Sequence, residues 1–254
     1  MKVDLSNTNI LVTGGSRGIG RAISLALGAA GARVAVHYRI EESEARKVAE
    51  EAGNGSSIFQ ADLSDVSACQ DLFLSVVDSF GSVDVLVNNA GISLNSPLDM
   101  ESDAWVRDWD ATMHVNLRAP GLLSRAAIDH FQKKDVTGGR IIHIASRAAF
   151  RGDTENCIAY AASKGGVVSM SRSIARAFGK QNITSFVIAP GFVRTDMAQD
   201  FIDSYGEDFV SGGLALDRLT EPGDIAPMVV LLASGLADHA TGTSIDINAG
   251  SYVR

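Results

Sequence analysis

Short runs of β-branched and aliphatic residues alternate with longer stretches in which apolar positions return every three or four residues, and the alternation continues through most of the chain. Runs at Ile10–Val12, Val34–Tyr38, Ser57–Gln60, Val83–Val87, Arg140–Ile144, Thr184–Ala189 and Ser244–Ile247 predict strands. Helical spacing over Gly18–Ala30, Ser43–Glu51, Cys69–Phe80 and Ala159–Phe178 predicts helices between them, and a further helix is expected near Asp103–Leu117. Strands joined through helices pair in parallel with right-handed crossovers, so the fold class expected is α/β, a doubly wound parallel sheet of about seven strands with helices on both faces. No Pro/Gly/Ser-rich linker or repeat interrupts this rhythm, and residues 1–254 read as a single domain.

The exception is the segment 196–217, which reads as an insertion. Met197, Phe201, Tyr205 and Phe209 recur every four residues with Asp200, Asp203, Glu207 and Asp208 between them, the pattern of an amphipathic lid helix over a pocket. Periodicity alone fits core packing equally well.

Composition narrows the partners. With 254 residues, 46% of them hydrophobic, the chain is long enough for one large core. A formal net charge of −8 gives no electrostatic footprint for nucleic acid or an anionic membrane. The most apolar stretch, Met228–Leu236, is far shorter than the ~20 residues of a membrane span. Cys69 and Cys157 lie far apart and outside disulfide or zinc spacing, and His37, His114, His130, His143 and His239 form no ligand pattern, so no metal is expected and the histidines read as structural or surface residues. The first residues lead straight into a strand without the features of a targeting signal, and the reading is a cytoplasmic protein.

Directly after the first strand, Thr13-Gly14-Gly15-Ser16-Arg17-Gly18-Ile19-Gly20 opens a helical pattern. Gly14 can make a tight turn, Gly18 lets backbone approach a pyrophosphate, and Gly20 lets the helix pack on the strand, leaving N-terminal amides aimed at negative charge. The second strand ends His37-Tyr38-Arg39, where a carboxylate would bind the ribose hydroxyls of NAD. Arg39 and Arg17 suit a phosphate instead, so NADP(H) is preferred over NAD(H). The competing reading has Glu41 or Glu42 supplying the acid and the arginines as surface charges.

Farther along, Tyr160-Ala161-Ala162-Ser163-Lys164 puts a phenol and an amine one helical turn apart. A phenol of pKa ~10 beside a cation ~4 Å away at an effective dielectric of ~20 gains ~4 kcal/mol, or up to ~3 pK units, so Tyr160 is expected to work near neutrality. Ser146 lies just beyond the strand Arg140–Ile144, where its hydroxyl can hold an oxygen on which charge develops. Arg147 and Arg151 follow, either as anchors for an anionic substrate group or as solvated loop charges.

Taken together, these residues resemble the classical short-chain dehydrogenase/reductase family nearly end to end. Thr13-Gly14 to Gly20 is similar to its TGxxxGxG loop, Asp62 in Ala61-Asp62-Leu63 to its adenine-binding residue, and Asn88-Asn89-Ala90-Gly91 to its NNAG motif. Asn116, Ser146, Tyr160 and Lys164 resemble its catalytic tetrad, and Pro190-Gly191 with Thr195 its nicotinamide-side loop.

The resemblance implies a Rossmann-type fold. It also implies that Tyr160 donates a proton to a carbonyl oxygen polarised by Ser146, that Lys164 binds the nicotinamide ribose and lowers the Tyr160 pKa, and that Asn116 holds a relay water. Val193 backbone and the Thr195 hydroxyl would hold the carboxamide, while Asn89 would support the sheet. Ser16, Arg17, Ile19, Tyr38, Leu63, Ala90 and Gly91 complete the expected cofactor site; Ser146, Arg147, Arg151, Tyr160, Met197 and Phe201 are the expected substrate contacts.

Within the family, the pattern is most similar to 3-oxoacyl-[acyl-carrier-protein] reductases and to related ketone, sugar and steroid enzymes. The expected function is NADPH-dependent reduction of a small-molecule ketone or 3-oxoacyl thioester to a secondary alcohol. The alternatives are an NAD(P)-dependent alcohol, sugar or steroid dehydrogenase, or a nucleotide-sensing protein without turnover. Carrier-protein reductases carry basic residues at the positions of Thr137 and Gln181, although Lys133, Lys134 and Lys180 lie close by. Trp105, Trp109 and Met113 share a stripe on helices that relatives pair across two-fold axes, which implies a homotetramer, with a dimer as alternative.

Overall fold

The computed structural model describes residues 3–133, 138–195, 206 and 212–253. Seven strands form one sheet: β1 (Asn9–Val12), β2 (Arg33–Tyr38), β3 (Ser57–Gln60), β4 (Val85–Asn88), β5 (Gly139–Ile144), β6 (Ile183–Pro190) and β7 (Ser244–Ile247). Every neighbouring pair is parallel, in the order β3-β2-β1-β4-β5-β6-β7. The chain builds outward from β1 to β3, then crosses to the other side of β1. The crevice at the carboxyl ends of β1 and β4 is therefore the topological switch point, where such sheets bind ligands.

The two-residue period of the strands sorts their side chains onto two covered faces. Ile10 and Val12, with Val34, Val36, Val85, Val87, Ile142 and Ile144, pack against α1 (Gly18–Ala29), α2 (Glu42–Ala52) and α8 (Pro222–Ala233). Leu11, with Ala35, Leu86 and Ile141, turns to the opposite face and packs on Leu72 and Phe73 of α3 (Val66–Phe80) and Leu123 and Phe131 of α5 (Ala119–Lys133). A smaller cluster of Ala145, Val167, Val168 and Val187 seats α7 (Ile158–Phe178).

Local sequence signals end these elements. The Asp65 carboxylate caps α3 by accepting from Ser67 N at 2.7 Å, and Gly81 closes the helix with a left-handed φ of 82°. Pro222 opens α8 behind a reciprocal Glu221–Asp224 capping box.

Two expectations need correction. β4 begins at Val85; just before it the Asp84 carboxylate accepts from Asn9 N at 2.9 Å, and Val83 N donates to His130 at 3.3 Å instead of to a neighbouring strand. The helix expected near Asp103–Leu117 is α4 (Ser102–Met113) followed by a π-helical turn, His114–Arg118, that runs into α5. Such turns recur at functional sites, and this one buries Asn116. Trp105 and Trp109 stack at 5.2 Å on α4. Between α5 and α7, residues Ala148–Arg151 form the short helix α6. Among the described residues, no helix is long and apolar enough to cross a membrane.

Candidate active site

The glycine turn after β1 is fastened to the loop after β4. Thr13 Oγ1 accepts from Asn89 N at 2.9 Å and Ala90 N at 3.0 Å, and Asn89 Nδ2 donates to the carbonyls of Thr13 at 2.9 Å and Gly14 at 3.1 Å. Asn89 is thus committed to holding the two loops in register. Gly14 has a φ of 61°, conformational space that a β-carbon disfavours, and a β-carbon at Gly20 would lie 2.0 Å from the Gly14 carbonyl oxygen. This close approach lets α1 start directly over the turn.

No side chain caps α1 at its N-terminus, while Ser16 is buried and Arg17 exposed beside it. The leading amides therefore present a donor set suited to a pyrophosphate. Opposite, a β-carbon at Gly18 would touch the Thr195 methyl at 3.4 Å, and one at Gly91 would stand 3.3 Å from both Asn116 Oδ1 and Lys164 Nζ. Small residues on both sides keep the crevice open, and the residues present fit an NADP(H) molecule.

At the outer end, Arg39, Ile40, Gln60, Ala61 and Asp62 line a groove, with Leu63 buried behind it. Asp62 accepts from Ser64 N at 2.9 Å and Ser64 Oγ at 2.7 Å; these bonds, helped by the Arg39 charge, hold its carboxyl below the usual range. Glu42, the candidate for an NAD-type carboxylate, accepts from Arg46 at 2.5 Å and is also bonded to the Tyr38 hydroxyl. Burial and the Glu42 charge raise the Tyr38 pKa. The groove therefore presents the Arg39 guanidinium at the end of β2.

The tetrad residues meet at the other end. Ser146 follows β5; its hydroxyl accepts from Ala148 N at 3.1 Å and bonds the Tyr160 phenol. Lys164, one turn after Tyr160 on α7, donates from Nζ to the Ile144 carbonyl at 3.0 Å and lies 5.6 Å from the Tyr160 ring centre. Asn116 accepts from Ile92 N at 2.8 Å and donates to Ile92 O at 2.8 Å and Ser163 Oγ at 3.1 Å, bracing the loop after β4 against α7. Ser163 Oγ in turn donates to Tyr160 O at 2.7 Å.

The ionisation expected of this group is corrected. Burial pushes the Tyr160 phenol up to about 12, partly offset by the Ser146 bond and reinforced by the nearby Asp153 and Cys157. Lys164 does not draw it down, because its amine, itself pushed down to about 8 by burial, has already lost its charge at the pH where the phenol titrates. A protonated phenol at neutral pH is in the state a proton donor needs. Beneath, His143 is pushed down to about 3, first by burial and then by Lys164, with Nδ1 3.3 Å from Asn88 Nδ2.

The buried amine has a consequence for stability. Lys164 releases its proton near pH 8 when folded and near 10.5 when unfolded, so the native state binds fewer protons and stability rises with pH through that window. Below pH 8 the penalty is on the order of 3 kcal/mol. Lys164→Met in the cofactor-free protein is expected to unfold at a higher temperature than wild type at pH 7, and the gap should narrow as pH rises from about 8 toward 10.5. Parallel melting curves across that range check it.

Around the carbonyl end of the crevice, Pro190 ends β6 and Gly191 packs on Asn248, where a β-carbon would lie 2.7 Å from the Asn248 Cα. Val193 is buried and bridges to Thr220, and Thr195 Oγ1 donates to Val193 O at 3.4 Å. Arg147 is half-buried, donates to Ser251 Oγ from its side chain and to Pro190 O from its amide at 2.9 Å; burial, then the charge of Arg151, lowers its pKa. Arg151 is exposed. Met197, Phe201, Tyr205 and Phe209 of the expected lid, and Thr137 and Lys134, lie outside the described residues. Gln181 bonds Gln132 at 2.7 Å.

Sequence reasoning gave no role at the site to Asp153, whose charge reaches Tyr160, to Cys157 near it, or to His37, which accepts from Gly14 N of the glycine turn. The signal for Cys157 was its place three residues before Tyr160, nearly one helical turn away.

A family model described as Enoyl-(Acyl carrier protein) reductase matches residues 14–251. The chain is 35% identical over 247 residues to 3-oxoacyl-[acyl-carrier-protein] reductase FabG of Staphylococcus aureus strain Mu50, covering 96% of this chain and 97% of that one. It is 34% identical to 3beta-hydroxysteroid dehydrogenase 1 of Eggerthella lenta, over 97% of this chain and 94% of the relative. Among solved structures it superposes on a blue fluorescent protein from a metagenomic library in complex with NADPH, with TM-score 0.89 and 36% identity, covering 98% and 100% of the two chains. The chain belongs to the short-chain dehydrogenase/reductase family. It is therefore an oxidoreductase of the class that interconverts CH–OH and C=O groups.

Proposed function

We propose that this protein is an NADPH-dependent reductase that converts a ketone, best represented by a 3-oxoacyl thioester, into a secondary alcohol. The observation that carries the reading is the Tyr160 hydroxyl bonded to Ser146, with Lys164 one turn behind it in the switch-point crevice. Its full-length likeness to FabG supports the 3-oxoacyl class, and the NADPH of the metagenomic neighbour supports the cofactor.

The α1 amides and the Gly14–Gly20 turn hold the pyrophosphate, Arg39 and Arg17 the 2′-phosphate, Asp62 and Leu63 the adenine, and Ala90 and Gly91 the adjoining ribose. Lys164 holds the nicotinamide ribose, and Val193 and Thr195 the carboxamide. Bound NADPH supplies a hydride from C4 of its nicotinamide. Ser146 orients the substrate carbonyl and donates to its oxygen as charge grows there. Tyr160 then gives up its phenolic proton to that oxygen. Asn116 keeps the loop after β4 and α7 at the separation this requires. Arg147 and Arg151 flank the substrate.

Arg39→Ala is expected to lower kcat/KM with NADPH by about tenfold or more and to leave the value with NADH within about threefold, since a charge-assisted bond to the phosphate is lost. Initial rates with both cofactors check it, and a wild-type preference for NADH contradicts the cofactor reading. A second reading, an alcohol, sugar or steroid dehydrogenase, is favoured by the Eggerthella relative. NADPH consumption over acetoacetyl thioesters, sugar ketones, steroids and small diketones separates the classes. Binding of NADPH without consumption on any of them is the outcome of a nucleotide sensor. The half-buried Trp105–Trp109 stack supports the proposal of a homotetramer, with a dimer as alternative, and light scattering on the eluted protein gives its mass.

A further inference from the structure

β2 carries a histidine that this chemistry does not use. The His37 ring is 3% exposed and sits between the turn after β1 and the turn after β3. Its Nδ1 accepts from Gly14 N–H at 2.9 Å, and its Nε2 stands 3.2 Å from the Ala61 carbonyl oxygen. An amide on one side and a carbonyl on the other admit one arrangement, a neutral ring with its proton on Nε2. Burial keeps it neutral, pushing its pKa down to about 4 against the opposing pull of the Ala61 bond and the Asp62 charge. The main chain adds two ties: Gly15 N donates to His37 O at 2.8 Å, and Ala61 N to Tyr38 O at 3.1 Å.

The two turns fastened to this ring have different jobs in the cofactor site. Gly14 opens the turn that presents the α1 amides, and Ala61 leads into Asp62 in the groove that Arg39 lines. An aliphatic side chain in place of the imidazole would leave a buried N–H and a buried carbonyl unpaired, and both turns would relax.

We infer that His37 is a positioning residue of the dinucleotide site, holding the phosphate turn and the adenine-side turn at their working separation and thereby governing NADP(H) affinity, not the rate of the chemical step. The inference rests on the NADP(H) reading above. Its effect therefore falls on Kd and KM for the cofactor, with kcat at saturation left in place. Asn is the informative conservative replacement, because its Oδ1 occupies nearly the place of Nδ1 and keeps an acceptor for Gly14.

The test measures Kd for NADPH by its fluorescence and for 2′,5′-ADP by calorimetry, in wild type, His37→Leu and His37→Asn. Expected results are a loss of about tenfold or more for both probes in His37→Leu, kcat at saturating NADPH within about twofold, and His37→Asn within about threefold of wild type. Unchanged affinity in His37→Leu, or a loss confined to kcat, overturns the inference. Should His37→Leu not fold, ¹⁵N spectra of the wild-type imidazole decide: the Nε2–H tautomer with a bare Nδ1 is expected, and the Nδ1–H tautomer overturns it. Wild type that binds neither probe overturns the cofactor reading itself, and the inference with it.

Discussion

Tyr160→Phe is expected to lower turnover by about three orders of magnitude while NADPH still binds within about twofold of wild type. The substitution removes one oxygen from a ring that is otherwise kept, so the seating of α7, through Val167 and Val168, on Ala145 and Val187 is undisturbed. What vanishes is, among the described residues, the side chain at the reacting end that combines a proton at neutral pH with a bond to Ser146. Lys164 cannot replace it, because its amine is turned to the Ile144 carbonyl. Stopped-flow or steady-state rates with a binding titration check both halves. Near-normal turnover would refute the role given to Tyr160, and lost NADPH binding would mean the variant had disturbed the crevice.

Gly20→Ala is expected to destabilise the protein by about 3 kcal/mol, at the upper end of what overpacking costs, and to abolish NADPH binding with it. The added carbon would stand 2.0 Å from the Gly14 carbonyl oxygen and 2.5 Å from Asn89 Nδ2, and neither can retreat easily. Gly14 is held by His37, and Asn89 by Thr13 and Gly14, so a shift of α1 breaks bonds on both sides of the crevice. Gly223→Ala is the matched control: it lies in the first turn of α8 with nothing within 4 Å of an added carbon, and its change should stay within about 1 kcal/mol. Urea denaturation of the two variants side by side checks the difference. Equal midpoints would contradict the close packing of α1 on the glycine turn.

The sheet was legible in the chain because its strands are buried on both faces and bounded by glycine and polar turns. The predicted strands Ser57–Gln60 and Ser244–Ile247 coincide with the observed ones, and others differ by a residue or two at their ends. β4 differs most, starting two residues later than predicted, since Val83 is as apolar as its neighbours and its amide is taken by His130 of α5. The π-helical turn was invisible because its apolar spacing is that of a continuous helix. α8 carries Pro227 within it, which hides it from a periodicity argument.

At the site, the Gly-rich turn and the residues Ser146, Tyr160 and Lys164 were legible through spacing. Their ionisation was not. Spacing of i and i+4 puts Lys164 near Tyr160 but says nothing about desolvation, which moves the two groups in opposite directions, the phenol up and the amine down. His37 was unreadable for a related reason: its partners, Gly14 and Ala61, are backbone groups on distant loops that only the sheet brings together.

The assignment rests on hydride passing from a nicotinamide to a carbonyl carbon within this crevice. It is tested most directly with NADPH carrying deuterium at C4, prepared separately on each face, and the ketone consumed fastest in the screen above. The expected result is deuterium on the carbinol carbon of the alcohol from one labelled face alone, in step with NADPH oxidised, and none in the Tyr160→Phe variant beyond its residual rate. Label retained in the oxidised cofactor from both faces, or released to water, would contradict it.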